Sequence, residues 1–442
     1  MNKTNKKFGD ILVVSFALFA MFFGAGNLIF PPQLGAVSGG NWVVGFSGFF
    51  ITEIGLTVCG LLAIILSDGD VEVLAEGLPA WASAVIFGTV VLIIGPLYAV
   101  PRTAAVTFEI AFQPVAESSF LGPGVFITNI VTNIIFFAVT LIFVITPSSI
   151  IDKIGKFLTP FLLFVLAAII LKGIFFPLAP IPEEGSEHIF ALGVREGYQT
   201  MDALGTILFG VMVINTMREK GYTEKKSLFK ISIFASIGAC IGLTLVYGGL
   251  AFLGATSTSV ISTTDRVVRI RGIAETLWGP IGSVLLGFSI ALACLTTAIG
   301  LIAAVAGYFH KKFNIPMKPM FIVFTIVSFF ISIVGVNQII TIAAPVLEIV
   351  YPIVIVLIFM TFLRNVLPNF WFKRGAVIAT SVVGAALALS AFDATFNTNL
   401  VPTALQTILE KLPFYSLGFA WILPAIVSGL VAGFAAMALQ KK

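Results

Sequence analysis

Phe22-Phe23-Gly24-Ala25-Gly26-Asn27-Leu28-Ile29-Phe30-Pro31-Pro32 interrupts an apolar run that is otherwise long enough to cross a membrane as one helix. Two glycines weaken the helix and two prolines remove backbone donors, so a break is expected near the middle of the span. The first half would then end in free carbonyls, which suit a small cation. The second would begin with free N–H groups, which suit a carboxylate. Unwound backbone at this depth is tolerated only where it lines a cavity, so the break points to a binding site. The competing reading is that the glycines let a neighbouring helix approach closely. That reading does not explain Asn27 or the double proline.

The rest of the chain has the same character. Of 442 residues, 58% are hydrophobic and 10% charged, with a mean hydropathy of +1.08, whereas a soluble domain carries roughly 25% charged residues. A soluble fold is excluded, and an all-α polytopic membrane bundle follows, because backbone groups in lipid must be satisfied within each segment. Helices are expected near 9–34, 42–66, 83–112, 122–146, 154–176, 199–217, 228–253, 280–309, 318–335, 338–363, 374–391 and 414–438, twelve in all. Asn2 to Lys7 before the first run resemble the start of a signal peptide, but the run is too long for one and is read as a retained helix. With the N-terminus inside, eighteen Lys and Arg fall on the inner side and six on the outer, which places both termini in the cytoplasm. Two loops break this rule. The inner connection with Asp68, Asp70, Glu72 and Glu76 is acidic, and the outer stretch 254–279 carries Arg266, Arg269 and Arg271. The latter is expected to fold as a short helical hairpin. The polar stretch 177–198 is too short to build a core, so residues 1–442 form one membrane domain.

Five helices after the first break comes Tyr198-Gln199-Thr200-Met201-Asp202-Ala203-Leu204-Gly205-Thr206, where Asp202 and Gly205 stand at a second expected break. A displacement by an odd number of helices inverts orientation, so 9–176 and 199–363 would be inverted repeats, with 374–438 as two further helices. The alternative puts Asp202 at the membrane interface, where its helix begins. In the eighth helix Thr296 and Thr297 place two hydroxyls, hard ligands for sodium, in an apolar span. A Thr pair in such a helix also commonly bonds its own i−4 carbonyl. Glu53, Arg102, Glu109, Asp202 and Glu348 are ionisable residues within spans. Glu53 is a candidate acceptor for unwound backbone N–H groups, and Arg102 a candidate partner for Glu109. Cys59, Cys240 and Cys294 read as packing residues. No HExxH, GxSxG or P-loop is present, which leaves an enzyme no catalytic residues.

The stretch Phe16 to Pro32, the segment Gly95-Pro96-Leu97-Tyr98-Ala99-Val100-Pro101-Arg102-Thr103-Ala104 and the run Gly197 to Asp202 together resemble the branched-chain amino acid carrier family, bacterial symporters for leucine, isoleucine and valine. The family is similar in architecture to the five-plus-five inverted-repeat (LeuT-like) transporters. That resemblance implies a bundle of helices 1, 2, 6 and 7 rocking against a scaffold of helices 3, 4, 8 and 9, in a bacterial cell membrane. It implies a substrate carboxylate at the N–H groups of Gly24, Ala25, Gly26 and Asn27. The substrate ammonium would face carbonyls of Asp202, Ala203, Leu204 and Gly205, with Phe23 alongside. A coupling sodium would sit between the carbonyls of Ala20 and Phe23 and the hydroxyls of Thr296 and Thr297. Beyond the amino acid, sodium and lipid, no cofactor, nucleic acid or obligate protein partner is implied. The rival readings are a proton-coupled carrier that titrates Glu53 or Asp202, and a channel or membrane receptor.

Overall fold

The computed structural model describes residues 3–24, 26–118, 124–146, 149–183, 185, 187–219, 221–222, 224–398 and 400–440. Among these the regular structure is helical, with no strand. The first long apolar run is two helices, α1 (Lys3–Phe22) and α2 (Gly26–Ser38). The second is α3 (Trp42–Phe50) joined to α4 (Leu56–Leu66) by a widened turn at Ile51–Gly55 that carries Glu53. The third is α5 (Ala80–Leu92), α6 (Ala99–Thr107) and α7 (Gln113–Ser118), bent at Gly95 and Tyr98. Then follow α8 (Gly124–Ile145), α9 (Ser149–Phe175), α10 (Ile189–Thr200), α11 (Asp202–Glu219), α12 (Lys225–Ser257) and α13 (Arg266–Phe313). Last come α14 (Met317–Ser332), α15 (Val336–Phe362), α16 (Trp371–Phe396), α17 (Thr403–Glu410) and α18 (Ile422–Gln440).

Nine stretches of the described residues are long and apolar enough to cross a membrane. Three shorter apolar helices, Ile11–Phe22, Pro160–Phe175 and Met317–Ser332, accompany them.

Several expected boundaries move, each for a local reason. The sixth helix begins at Ile189 rather than 199, so Asp202 stands at a break inside the span and not at its entrance. The final helix begins at Ile422 rather than 414, because Phe414 and Gly418 take left-handed conformations that end any helix between them. In the stretch 254–279, α12 continues to Ser257, and Asp265 then caps a new helix by accepting from the N–H groups of Val267 and Val268. That helix turns at Gly279, whose φ of 65° with ψ of −162° is open to glycine and strained for other residues. A single helical arm thus replaces the expected hairpin.

Two groups of helices surround the centre of the molecule, and α15, α16 and α18 pack on one another beside them. α1 and α2 lie on α12, while α10 and α11 lie on α3 and α4. Small residues bring these backbones together. A methyl group at Gly35 would sit 1.8 Å from the carbonyl oxygen of Ala251, one at Gly254 1.9 Å from that of Pro32, and one at Gly193 1.9 Å from that of Gly45. A second group forms where α13 packs on α6, α8 and α14. The two charge anomalies resolve in the same fold. Asp70 caps the turn Val71–Ala75, and Glu72 pairs with Lys312 at 2.7 Å. Lys373 and Arg374 donate to the carbonyls of Leu74 and Gly77, so the acidic loop is neutralised by basic residues at the same end of the molecule. At the other end, Arg266 pairs with Glu196 at 2.6 Å, while Arg269 donates to Gln33, Ser257 and the carbonyls of Ile261 and Thr263.

Candidate functional site

Two helix breaks meet at the centre of the molecule. Between α1 and α2 the N–H of Gly24 turns back to the carbonyl of Phe22 at 3.0 Å, and that of Asn27 to the carbonyl of Gly24 at 3.1 Å. Ala25 lies outside the described residues. Pro31 and Pro32 are inside α2 and do not form the break as expected. Since a proline removes a helix hydrogen bond without supplying one, their effect falls on α2 itself. Between α10 and α11 the break is Met201, in a left-handed conformation (φ 66°, ψ 15°) that is costly for a residue with a side chain.

Asn27 ties the breaks together. Its Nδ2 donates to the carbonyl of Phe22 (2.6 Å) and to Asp202 Oδ2 (2.6 Å), with Tyr247 Oη at 2.9 Å and Glu53 Oε1 at 3.5 Å. An amide nitrogen has only two hydrogens to offer four oxygens. The expectation that Glu53 accepts from backbone N–H groups is therefore corrected, since its carboxyl lies against the Asn27 amide and the Asp202 carboxyl instead. The four residues are buried. Two carboxyl groups in one dry site need a compensating proton or cation, because an uncompensated buried charge is expensive.

Beside this cluster is a narrow cavity. α1 and α2 contribute Gly24, Gly26 and Asn27 to its wall; the third membrane segment contributes Ile94, Ala99, Arg102 and Thr103. The second break supplies Thr200, Met201, Asp202 and Gly205, with Phe209 one turn on, and α13 supplies Thr297 and Leu301. Further along α11 and α13, towards Glu72 and Lys312, a cavity of about 450 Å³ is lined by Leu208, Val211, Ala304 and Tyr308. On the opposite side a cavity of about 290 Å³ is lined by Arg195, Tyr198, Gln199 and Glu348. Tyr198 stacks on Tyr351 with ring centroids 4.3 Å apart, and the Glu196–Arg266 pair and an Arg195–Glu348 contact of 3.4 Å lie nearby.

Gly24, Gly26, Asn27, Asp202, Gly205 and Thr297 thus share one cavity. Ala203 and Leu204 are buried in the first turn of α11 and do not line it. Because α11 starts at Asp202, the carbonyls left free by this break belong to the last turn of α10, one turn before the stretch expected to supply them. Phe23 is buried in a stack with Phe19 and Tyr247. Ala20 is exposed, and Thr296 donates to the carbonyls of Leu292 and Ala293 in its own helix.

Arg102 does not pair with Glu109. It donates to the carbonyl of Gln199 at 2.6 Å and to Tyr98 Oη at 3.1 Å, while Glu109 accepts from the N–H of Val336 at 2.8 Å. The two-turn separation along a helix bent by the widened turn at Phe108–Phe112 points them in different directions. Tyr98, Gln199 and Tyr247 were missed as site residues. The signal for Tyr98 was its place beside Gly95-Pro96, a second bend in an apolar helix. Gln199 stood within the second expected break, three residues before Asp202, and Tyr247 had no comparable signal.

Comparison with known proteins supplies what geometry alone does not. Residues 7–439 match the family model of the branched-chain amino acid transport protein. The chain is 37% identical to the branched-chain amino acid permease BraB of Bacillus subtilis (strain 168), over 96% of this chain and 94% of the relative. It is 35% identical to the branched-chain amino acid permease BrnQ of the same organism, over 95% of each. Among solved structures it resembles the inward facing conformation of Mhp1, with a TM-score of 0.64 at 13% identity over 97% of this chain and 91% of the other.

Proposed function

The chain belongs to the branched-chain amino acid transport protein family, and from that premise we propose that it imports leucine, isoleucine and valine by alternating access, coupled to sodium. The observation that carries this reading is the narrow cavity between two broken helices, with the Asp202 carboxyl on one wall and the N-terminal end of α2 on another. A zwitterionic amino acid offers an ammonium to the first and a carboxylate to the second.

The pairing of α1 and α2 with α12, and of α10 and α11 with α3 and α4, is what two inverted repeats would produce, and it supports the rocking bundle. Sodium is assigned to the broken end of α1, with Thr297 across the cavity as its hydroxyl ligand. With both termini cytoplasmic, the 450 Å³ cavity beside Lys312 faces inward, and the stacked tyrosines lie between the site and the outer cavity beside Arg195. Ion and substrate share one broken helix, so each organises backbone that the other needs and their affinities rise together.

Equilibrium binding of labelled isoleucine to the purified protein tests this, since replacing potassium by sodium should tighten it. Equal affinity in both salts would count against a sodium site next to the substrate. A second reading has its own observation. Glu53 and Asp202 converge on Asn27, and a proton would compensate that pair as well as sodium does. A rise in affinity on acidification, with sodium having no effect, favours it.

A further inference from the structure

The cavity wall contains a cation that the reading above leaves unused. Arg102 is 4% exposed, and among the described residues it forms no ion pair. One edge of its guanidinium is occupied: Nη1 donates to the carbonyl of Gln199 and to Tyr98 Oη, and Tyr98 Oη in turn donates to Gln199 Oε1 at 2.5 Å. Its plane is held against two rings, with its central carbon 4.8 Å from the centroid of Tyr98 and 5.3 Å from that of Phe30. The other edge, Nη2 and Nε, lies against the first helix break. A β-carbon built on Gly26 would stand 2.1 Å from Nη2 and 3.1 Å from Nε. Only glycine at position 26 lets the guanidinium pack this closely on the start of α2, and from there Arg102 lines the cavity. Asp202 lines the same cavity.

A buried guanidinium whose fork makes no direct carboxylate contact keeps capacity for one, and an added carboxylate there would offset desolvation that the present contacts only partly compensate. Its planar fork matches a carboxylate through two parallel N–H···O bonds, a match that a backbone N–H or a lysine does not reproduce. We infer that Arg102 is the specificity residue for the α-carboxylate of the transported amino acid, taking it on the Nη2–Nε edge beside Gly26 while the ammonium meets Asp202. This rests on the substrate reading given above and deepens it. The carboxylate is then held between a side chain of the third membrane segment and the N-terminal end of α2. Tyr98 and Gln199 act as positioning residues, fixing the fork before the substrate arrives.

Arg102 also bridges to the end of α10, so a loss of binding on mutation could come from a disordered break alone. A ligand that lacks the carboxylate separates the two roles. Binding of isoleucine and of isoleucinol, in which a hydroxymethyl group replaces the carboxylate, is measured on the full-length wild type and on Arg102→Gln and Arg102→Lys. Wild type is expected to prefer isoleucine by about 100-fold, the cost of removing one partner of a buried charge pair. Arg102→Gln is expected to lose about 100-fold for isoleucine with isoleucinol nearly unchanged, which erases the preference. Arg102→Lys keeps the charge without the fork and is expected to fall between, and it decides the matter if the glutamine variant does not fold. Isoleucine affinity unchanged in both variants, or equal losses for both ligands, would overturn the assignment. Failure of wild type to bind isoleucine at all would instead strike the carrier reading.

Discussion

Gly24 and Gly26 stand two residues apart in the first break, yet the structure predicts opposite consequences for enlarging them. A β-carbon at Gly24 would meet nothing within 4 Å, and the residue lines the cavity. Gly24→Leu should therefore fold. Replacing glycine even lowers the entropy of the unfolded chain, by roughly 0.4–1 kcal/mol, where the backbone is compatible. The new side chain then projects into the space the substrate needs, and overpacking of that kind costs about 1–3 kcal/mol. The upper part of that range corresponds to a loss of about 100-fold in affinity. Gly24→Ala adds one methyl group to open space and should stay within several-fold of wild type.

At Gly26 the β-carbon would stand 2.1 Å from Arg102 Nη2, and ordinary contact begins at 3.4 Å, so the guanidinium must retreat by roughly 1.3 Å. That movement strains the 2.6 Å bond to the Gln199 carbonyl. Gly26→Ala should thus lower the melting temperature as well as the affinity. The assay is isoleucine binding on monodisperse detergent-solubilised protein, paired with a thermal melt of each variant. A well-folded Gly24→Leu protein that binds isoleucine like wild type would refute the placement of the substrate at this break.

Three further perturbations follow from named contacts. Thr297→Ala should weaken sodium affinity and reduce substrate affinity only through linkage, which sodium titrations at saturating isoleucine would measure; unchanged sodium dependence removes Thr297 from the site. Asp202→Asn should abolish concentrative uptake, since it removes the acid that accepts from Asn27 and faces the substrate; retained accumulation in proteoliposomes would contradict that role. Gly254→Ala should destabilise by about 1–3 kcal/mol or prevent folding, because its methyl group would lie 1.9 Å from the backbone oxygen of Pro32; a wild-type melting temperature would show that α2 and α12 can part cheaply.

The first break was legible in Gly24-Ala25-Gly26-Asn27, because glycine spacing and a polar residue in an apolar run act locally. The start of the sixth helix was not. Its first turns carry Arg195 and Glu196, which depress hydropathy, and the buried Glu196 is accommodated by pairing with Arg266 from a distant part of the chain. The acidic loop at 68–76 looked anomalous for the same reason, since Lys312, Lys373 and Arg374 reach it from the far half of the chain. Arg102 and Glu109 were both recognised as ionisable residues inside a span, but the bends on either side of α6 decide that they never meet. Asn27, Glu53 and Asp202 were likewise visible one by one. Their convergence depends on contacts spanning 26 and 175 positions in sequence, which no local pattern encodes.

Uptake of labelled isoleucine into proteoliposomes, under an imposed inward gradient of sodium, of potassium or of protons, tests the central claim most directly. The account predicts accumulation above the external concentration with the sodium gradient, and none with potassium. Accumulation driven by protons alone would contradict the sodium site at Thr297 and move coupling to Glu53 and Asp202. No accumulation under any gradient would contradict the carrier itself.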